Sequence, residues 1–190
     1  MKSEKQILCE NLEHWETPEW AVQAILRKEI LTRQVIDPCT GTGVMSRIAK
    51  NAGYSVTSYD VFNWGYDQTL IWDWLSGAHS SLPDGDFSVF MNPPFSKGED
   101  FVTHALEYGA RKVVCFNRFS WWESRRRREF WEELPPSRVY ICGDRADCWR
   151  HDIPQDQRGS STPTAHAWFV WERGNPPGTL IGHIYKGDLL

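Results

Sequence analysis

The feature that most constrains this chain is a strand, turn, helix, strand succession in its first third. RQVID is a short apolar strand, DPCTGTG is a turn bearing Gly41 and Gly43, VMSRIAKNAG reads as a helix closed by Gly53 in the C-terminal capping position, and YSVTSYD is a second strand. The pattern then repeats: DFSVFM is a strand and GEDFVTHALEYG a helix with a glycine stop. ARKVVCFN and SRVYIC are further strands flanking the helical WESRRRREFWEEL, and AHAWFVWER is a late, strongly β-prone run. Ahead of them all, residues 18–31 place Trp20, Ala21, Ala24, Ile25, Lys28 and Leu31 at helical spacing, with Thr17 as N-cap and Pro18 in the first helical position. Strands alternating with helices predict an α/β fold, a parallel sheet covered on both faces, which binds its ligand at the carboxyl ends of the strands.

Composition sets the outer limits. A chain of 190 residues, 41% hydrophobic and 24% charged, supports one core, so residues 1–190 are expected to form a single domain. No stretch approaches the roughly 18 apolar residues of a membrane span, and MKSEKQILCENLEHW lacks the apolar centre of a secretory signal, so a soluble, cytoplasmic protein is expected. The five cysteines stand at irregular spacings and read as reduced thiols. Cys142, Cys148, His151 and Asp152 match no common metal-site spacing, and no metal is expected. A net charge of -4 excludes coating of nucleic acid by bulk charge, so any such contact must be local. Most of the eleven tryptophans are expected to fill core positions, with a few left to stack on bases.

Three sites at strand ends carry chemistry. The glycine turn after RQVID lets the backbone bend tightly and approach a nucleotide-like ligand, and Asp60, ending the second strand roughly 20 residues on, can accept hydrogen bonds from ribose hydroxyls. Met91-Asn92-Pro93-Pro94-Phe95 follows the strand DFSVFM directly. Its two prolines stiffen the segment and remove two donors, leaving carbonyls that face outward as acceptors. An aromatic amine is a poor nucleophile because its lone pair is delocalised. Two acceptors, the Asn92 side-chain oxygen and the Pro93 carbonyl, holding its two hydrogens would favour the pyramidal geometry that attack requires. Phe95 would stack on the flat base, swung out of its duplex.

The order DPCTGTG, YD, DWL, NPPF resembles the class I S-adenosylmethionine-dependent methyltransferases, specifically the amino-methyltransferases that include adenine-specific DNA enzymes. The resemblance spans about residues 17–171. It implies a Rossmann-like, seven-stranded, mostly parallel sheet with one antiparallel strand near the edge, assigned to AHAWFVW. It implies that Asp37, Pro38, Thr40 and the Gly41/Gly43 turn hold the methionine part of the cofactor, that Asp60 and Val61 meet its ribose, and that Asp73 and Trp74 meet its adenine. Thr17 and Pro18 match the N-terminal cofactor-binding segment, and Asn92 to Phe95 the catalytic tetrapeptide.

Two departures bear on the substrate: there is no room for a separate recognition domain, and the tetrapeptide opens with Asn. Family members opening so act on protein glutamine and ribosomal RNA as well as DNA. The expected function is therefore methylation of adenine in DNA by a compact, phage-like enzyme, with an RNA base or a glutamine amide as alternative substrates, or a cofactor-binding nucleic-acid module without catalysis. Arg125, Arg126, Arg127 and Arg128 are candidate phosphate contacts, although Glu123, Glu129, Glu132 and Glu133 are near enough in sequence to pair with them. Residues 143–164 form a long irregular stretch, a candidate recognition loop in which Arg145, Trp149, Arg150 and Arg158 would reach bases. His166, opening the last strand, reads as a structural or substrate-edge residue.

Overall fold

A computed structural model of the protein describes residues 12–77, 82–150, 153–158, 163–176 and 178–189. The strands are β1 (Trp15–Glu16), β2 (Gln34–Asp37), β3 (Ser55–Asp60), β4 (Thr69–Ile71), β5 (Phe87–Met91), β6 (Lys112–Arg118), β7 (Arg138–Cys142), β8 (Trp149–Arg150), β9 (His166–Glu172) and β10 (Leu180–Ile184). The α-helices are α1 (Glu19–Lys28), α2 (Val44–Asn51), α3 (Gly98–Glu107) and α4 (Arg128–Glu133).

Eight strands form one sheet in the order β10-β7-β9-β6-β5-β2-β3-β4, in which β9 alone runs antiparallel to its neighbours. The antiparallel strand is the one expected, AHAWFVW. The count differs from the expected seven, because LIGHI adds β10 beside β7 at one edge. Its exposed Leu180 and Ile181 give it no buried-face alternation to read in sequence. At the other edge, β4 is three residues long and likewise exposed at Leu70 and Ile71.

The sheet is buried on both faces by the alternation of its strands. Val35, Phe90, Val114, Phe116, Trp168 and Val170 point to the side of α1 and α2, packing with Ala21, Val22, Ile25 and Ala49. Ile36, Val89, Met91, Val113, Phe169 and Trp171 point to the other side, toward α3 and the aromatic group of Trp121, Phe130 and Trp131. That aromatic group accounts for much of the tryptophan content: Trp121 meets Trp131 edge-on at 4.8 Å and Phe169 at 5.1 Å, while Trp74 is fully buried against Tyr108.

Three local expectations change. Pro18, with φ -61° and ψ 133°, is itself the N-cap of α1, and no side chain caps the helix. Thr17 is turned away to bond Asn92, so it cannot serve as cap. The stretch WESRRRREFWEEL is helical only in pieces: a 3-10 turn over Arg125–Arg127 precedes α4, because Ser124 is extended. Within residues 143–164, β8 pairs antiparallel with β1, so part of the irregular stretch is a strand laid on the N-terminal segment. Residues 151, 152 and 159–162 of that stretch, His151 and Asp152 included, lie outside the described residues, as does Cys9. The cysteines that are described, Cys39, Cys115, Cys142 and Cys148, are free thiols.

Under the amino edge of the sheet, Glu29 leaves the end of α1 and is 3% exposed. It accepts from Lys112 Nζ at 2.8 Å, from Arg138 Nη2 at 2.9 Å and from the Tyr140 hydroxyl at 2.9 Å, while Glu172 takes the remaining reach of Lys112 and Arg138. Burial opposes the charge on Glu29, but the two cations beside it win and hold its pKa below the ordinary range. Glu29→Ala removes the buried carboxylate from Lys112 and Arg138 and leaves them only part-exposed Glu172. Urea unfolding of that variant should show a loss of about 3–5 kcal/mol, far above the effect of an exposed pair.

Candidate active site

β2 pairs in parallel with β3 on one side and with β5 on the other, so the connections leaving the carboxyl ends of β2 and β5 part in opposite directions. A crevice at such a point is where open α/β sheets bind ligands. Here it is a cleft of about 440 Å3, within the range of small-molecule sites. It brings together Thr17, Pro38, Thr40, Gly41, Asp60, Val61, Asp73, Trp74, Asn92, Pro93 and Pro94 from the sequence-predicted set.

Several expected residues stand elsewhere. Asp37 does not line the cleft. It is 1% exposed behind the turn, accepting from the Ser46 hydroxyl at 2.7 Å and from the Cys39 amide at 3.4 Å. It therefore shapes the turn from within. Gly43 also lies behind: its φ is +83°, and a Cβ there would come within 2.5 Å of the Tyr66 ring. Gly41, with φ +57°, is in the cleft, and a Cβ there would strike His14 Nε2 at 2.5 Å. Pro18 starts α1 outside the lining.

Two of the acids lining the cleft, Asp60 and Asp73, differ in what they have left to offer. Asp60 accepts from the Gly41 amide at 2.9 Å, the Phe62 amide at 3.1 Å and the Trp64 indole N–H at 3.3 Å. It ties the glycine turn to the end of β3 as well as facing the cleft, and burial raises its pKa against those bonds and a further one from the Val61 backbone. Asp73 is exposed, and one oxygen caps the 3-10 turn at the Leu75 amide, 3.0 Å away.

Residues 12–17, which read in sequence as a polar start, form a strap over the cleft. Glu13 accepts from the Ser96 amide and hydroxyl at 3.2 and 2.9 Å. Glu16 accepts from Thr42 at 3.3 Å and from Arg158 at 3.1 Å. Leu12, His14 and Trp15 join the lining, as do Trp64, Leu75 and Lys97. The run of aromatic and acidic residues in LEHWETPEW was the available signal, but it has no period of its own.

At the tetrapeptide, Asn92 Nδ2 donates to the Trp15 carbonyl and to Thr17 Oγ1, both at 2.8 Å. That fixes the orientation of the amide, and its Oδ1 is left buried with no hydrogen-bond partner among the described residues. Phe95 is not free to stack. It is 8% exposed, with Trp15 stacked at 6.4 Å, His166 tilted at 5.8 Å and the Arg118 guanidinium 4.6 Å from its ring centre. His166 lies beneath it, stacked on Phe116 at 5.2 Å, and burial followed by the charge of Arg118 pushes its pKa down to about 4. It is a neutral packing residue away from the cleft.

The remaining candidate cations are mostly engaged. Arg127 bonds Glu99 at 2.6 Å with Arg126 at 3.7 Å from the same carboxylate, and Arg128 pairs with Glu132 at 2.7 Å. Glu132 was foreseen as a partner; Glu99, on α3, was not. Arg125 is exposed. Arg158 is held by Glu16, Arg145 donates to the Pro163 carbonyl at 3.1 Å, and Trp149 and Arg150 form β8.

No family model matches this chain, and no curated protein matches it by sequence. Solved structures do. A methyltransferase subunit of a type I restriction-modification system from Streptococcus thermophilus superposes with a TM-score of 0.59 at 12% identity, over 90% of this chain and 47% of that one. The chain thus spans about half of that subunit. A 23S rRNA methyltransferase matches with a TM-score of 0.56 at 14% identity, over 82% and 68% of the two chains. An S-adenosylmethionine-dependent O-methyltransferase from Thermotoga maritima gives 0.51 at 11% identity, over 91% and 72%. The fold is the Rossmann-like α/β fold of class I methyltransferases.

Burial holds the Asp37 carboxyl up at about 7, above an ordinary value near 3.8. A group so raised favours the folded state when protonated: its contribution is complete below the unfolded value and is lost as pH rises through about 7. Melting temperature should therefore fall between about pH 4 and pH 7, and Asp37→Asn should flatten that fall in a calorimetric pH series.

Proposed function

We propose that the protein transfers a methyl group from S-adenosylmethionine to the exocyclic amine of adenine in DNA. The observation that carries this reading is the amide of Asn92, whose nitrogen is committed to Trp15 and Thr17 while its oxygen is buried and unpartnered at the edge of the cleft. A buried acceptor without a donor is costly, and a target amine would remove that cost. Pro93, which has no N–H, follows with its carbonyl as the second acceptor in reach of the same amine.

The residues present suit the cofactor. Gly41 brings its backbone to the cleft wall against His14, Asp60 faces the cleft as an acceptor, and exposed Asp73 retains an oxygen for an amine. When bound, S-adenosylmethionine supplies an electrophilic methyl group. Asn92 and Pro93 hold the two amine hydrogens and favour the pyramidal nitrogen. The strap of residues 12–17 keeps water from the cleft. No general base is required, since the methylated ammonium loses its proton to water, and neutral, buried His166 is not positioned to be one. Likeness of fold to a restriction-modification subunit and to an rRNA methyltransferase supports a nucleic-acid substrate.

Labelled S-adenosylmethionine offered with separate DNA, RNA and protein pools should label the DNA. Uptake confined to RNA or protein would replace the substrate, and no cofactor binding in calorimetry would remove the reading. Asn92→Ala should reduce transfer to background with cofactor affinity nearly intact. Thr17→Val removes the acceptor that orients the amide, so kcat should fall on the order of tenfold, the worth of one hydrogen bond, with little change in KM. Thr17→Ser should restore kcat.

A further inference from the structure

Arg118 ends β6, beside the tetrapeptide that follows β5, and sequence reasoning passed over it. Its guanidinium lies 4.6 Å from the ring centre of Phe95 and 5.8 Å from that of Trp15. It is half-buried, and its Nε is shut off from solvent with no hydrogen-bond partner among the described residues. The contrast with the arginines already described is sharp: Arg127 and Arg128 each hold a carboxylate within 2.7 Å, while Arg118 is braced by two aromatic rings and holds no carboxylate among the described residues.

We propose that Arg118 is the anion anchor of the substrate site, taking a backbone phosphate of the strand whose base enters beside Asn92. This rests on the methyl-transfer reading above and assigns its substrate to nucleic acid. A guanidinium suits two parallel hydrogen bonds to two oxygens of one oxyanion, and phosphate is the oxyanion a nucleotide carries at fixed distance from its base. A glutamine amide in a peptide has no anion in set relation to its nitrogen. As folded, the guanidinium lies over the Phe95 ring, which Trp15 and His166 also cover. The acidic chain then needs no broad basic surface: Arg118 stands beside the tetrapeptide, and Lys97 lines the cleft.

The test is binding of a fluorescein-labelled, random-sequence, single-stranded DNA 16-mer over a salt series, with S-adenosylhomocysteine present. Arg118→Gln should bind about tenfold more weakly at low salt. Its plot of log affinity against log salt should be flatter by roughly 0.7, the share of one phosphate on a single strand. Arg118→Lys should keep most of that slope, and Arg173→Gln, at the opposite edge of the sheet, should match the parent. An Arg118→Gln protein with normal melting and an unchanged slope and affinity would overturn the proposal. A second measurement needs no variant: the parent should lose the methylphosphonate form of the same strand, and equal binding of that neutral strand also overturns it. Methylation of a glutamine peptide without nucleic-acid binding does the same. Failure to bind S-adenosylhomocysteine would instead strike the methyl-transfer reading, leaving the response of strand binding to Arg118 to be judged by itself.

Discussion

The parallel pairing of β2 with both β3 and β5 is the constraint from which the rest of the molecule is laid out. A strand hydrogen-bonded on both sides and covered on both faces has to be apolar along its length, and Val35 and Ile36 are essentially inaccessible. Because the chain adds β3 and β4 to one side and β5 and β6 to the other, the turns after β2 and β5 diverge. The cleft lies in that divergence. One wall is a turn fastened by Asp60 and Asp37, and the other is a tetrapeptide stiffened by two prolines.

Buried charge is handled in opposite ways at the two edges of this sheet. At the amino edge Glu29, Lys112, Arg138 and Glu172 neutralise one another within hydrogen-bonding distance, so their burial is compensated and their role is to hold α1 on the strands. At the carboxyl edge Asn92 Oδ1 and Arg118 Nε have no partners among the described residues. An acceptor and a cationic donor left unsatisfied on adjacent strand ends call for a ligand with an amine and an anion, the two polar features of an aminated nucleotide.

Much of this was legible in the amino-acid sequence, because the information is local. Glycine turns, apolar strands and Pro-Pro segments act through their own backbone dihedrals, so β2, β3, β5, β6, β7 and β9 and the helices α1 to α3 fall close to their sequence-predicted positions. The edge strands β4 and β10 were not legible, since a strand paired on one side and exposed at Leu70, Ile71, Leu180 and Ile181 carries no alternation to distinguish it from loop. Within the site, the identity of Asn92 and Asp60 as cleft residues could be read from the strand ends that carry them, and that of Asp73 from the family resemblance.

What the sequence by itself determined is the class of sheet and the edge of it that is functional, both consequences of hydrophobic period and turn chemistry. Only the tertiary structure decided which polar atoms remain unsatisfied there. Asp37 and Asp60 are alike as strand-ending acids, yet one is consumed by Ser46 and Cys39 behind the turn while the other faces the cleft. Four consecutive arginines looked like the anion site, but Glu99 and Glu132 occupy three of them, while Arg118 lies against aromatic rings beside the tetrapeptide. Hydrogen bonds and ion pairs between residues far apart in the chain are made by packing, and no local pattern records them.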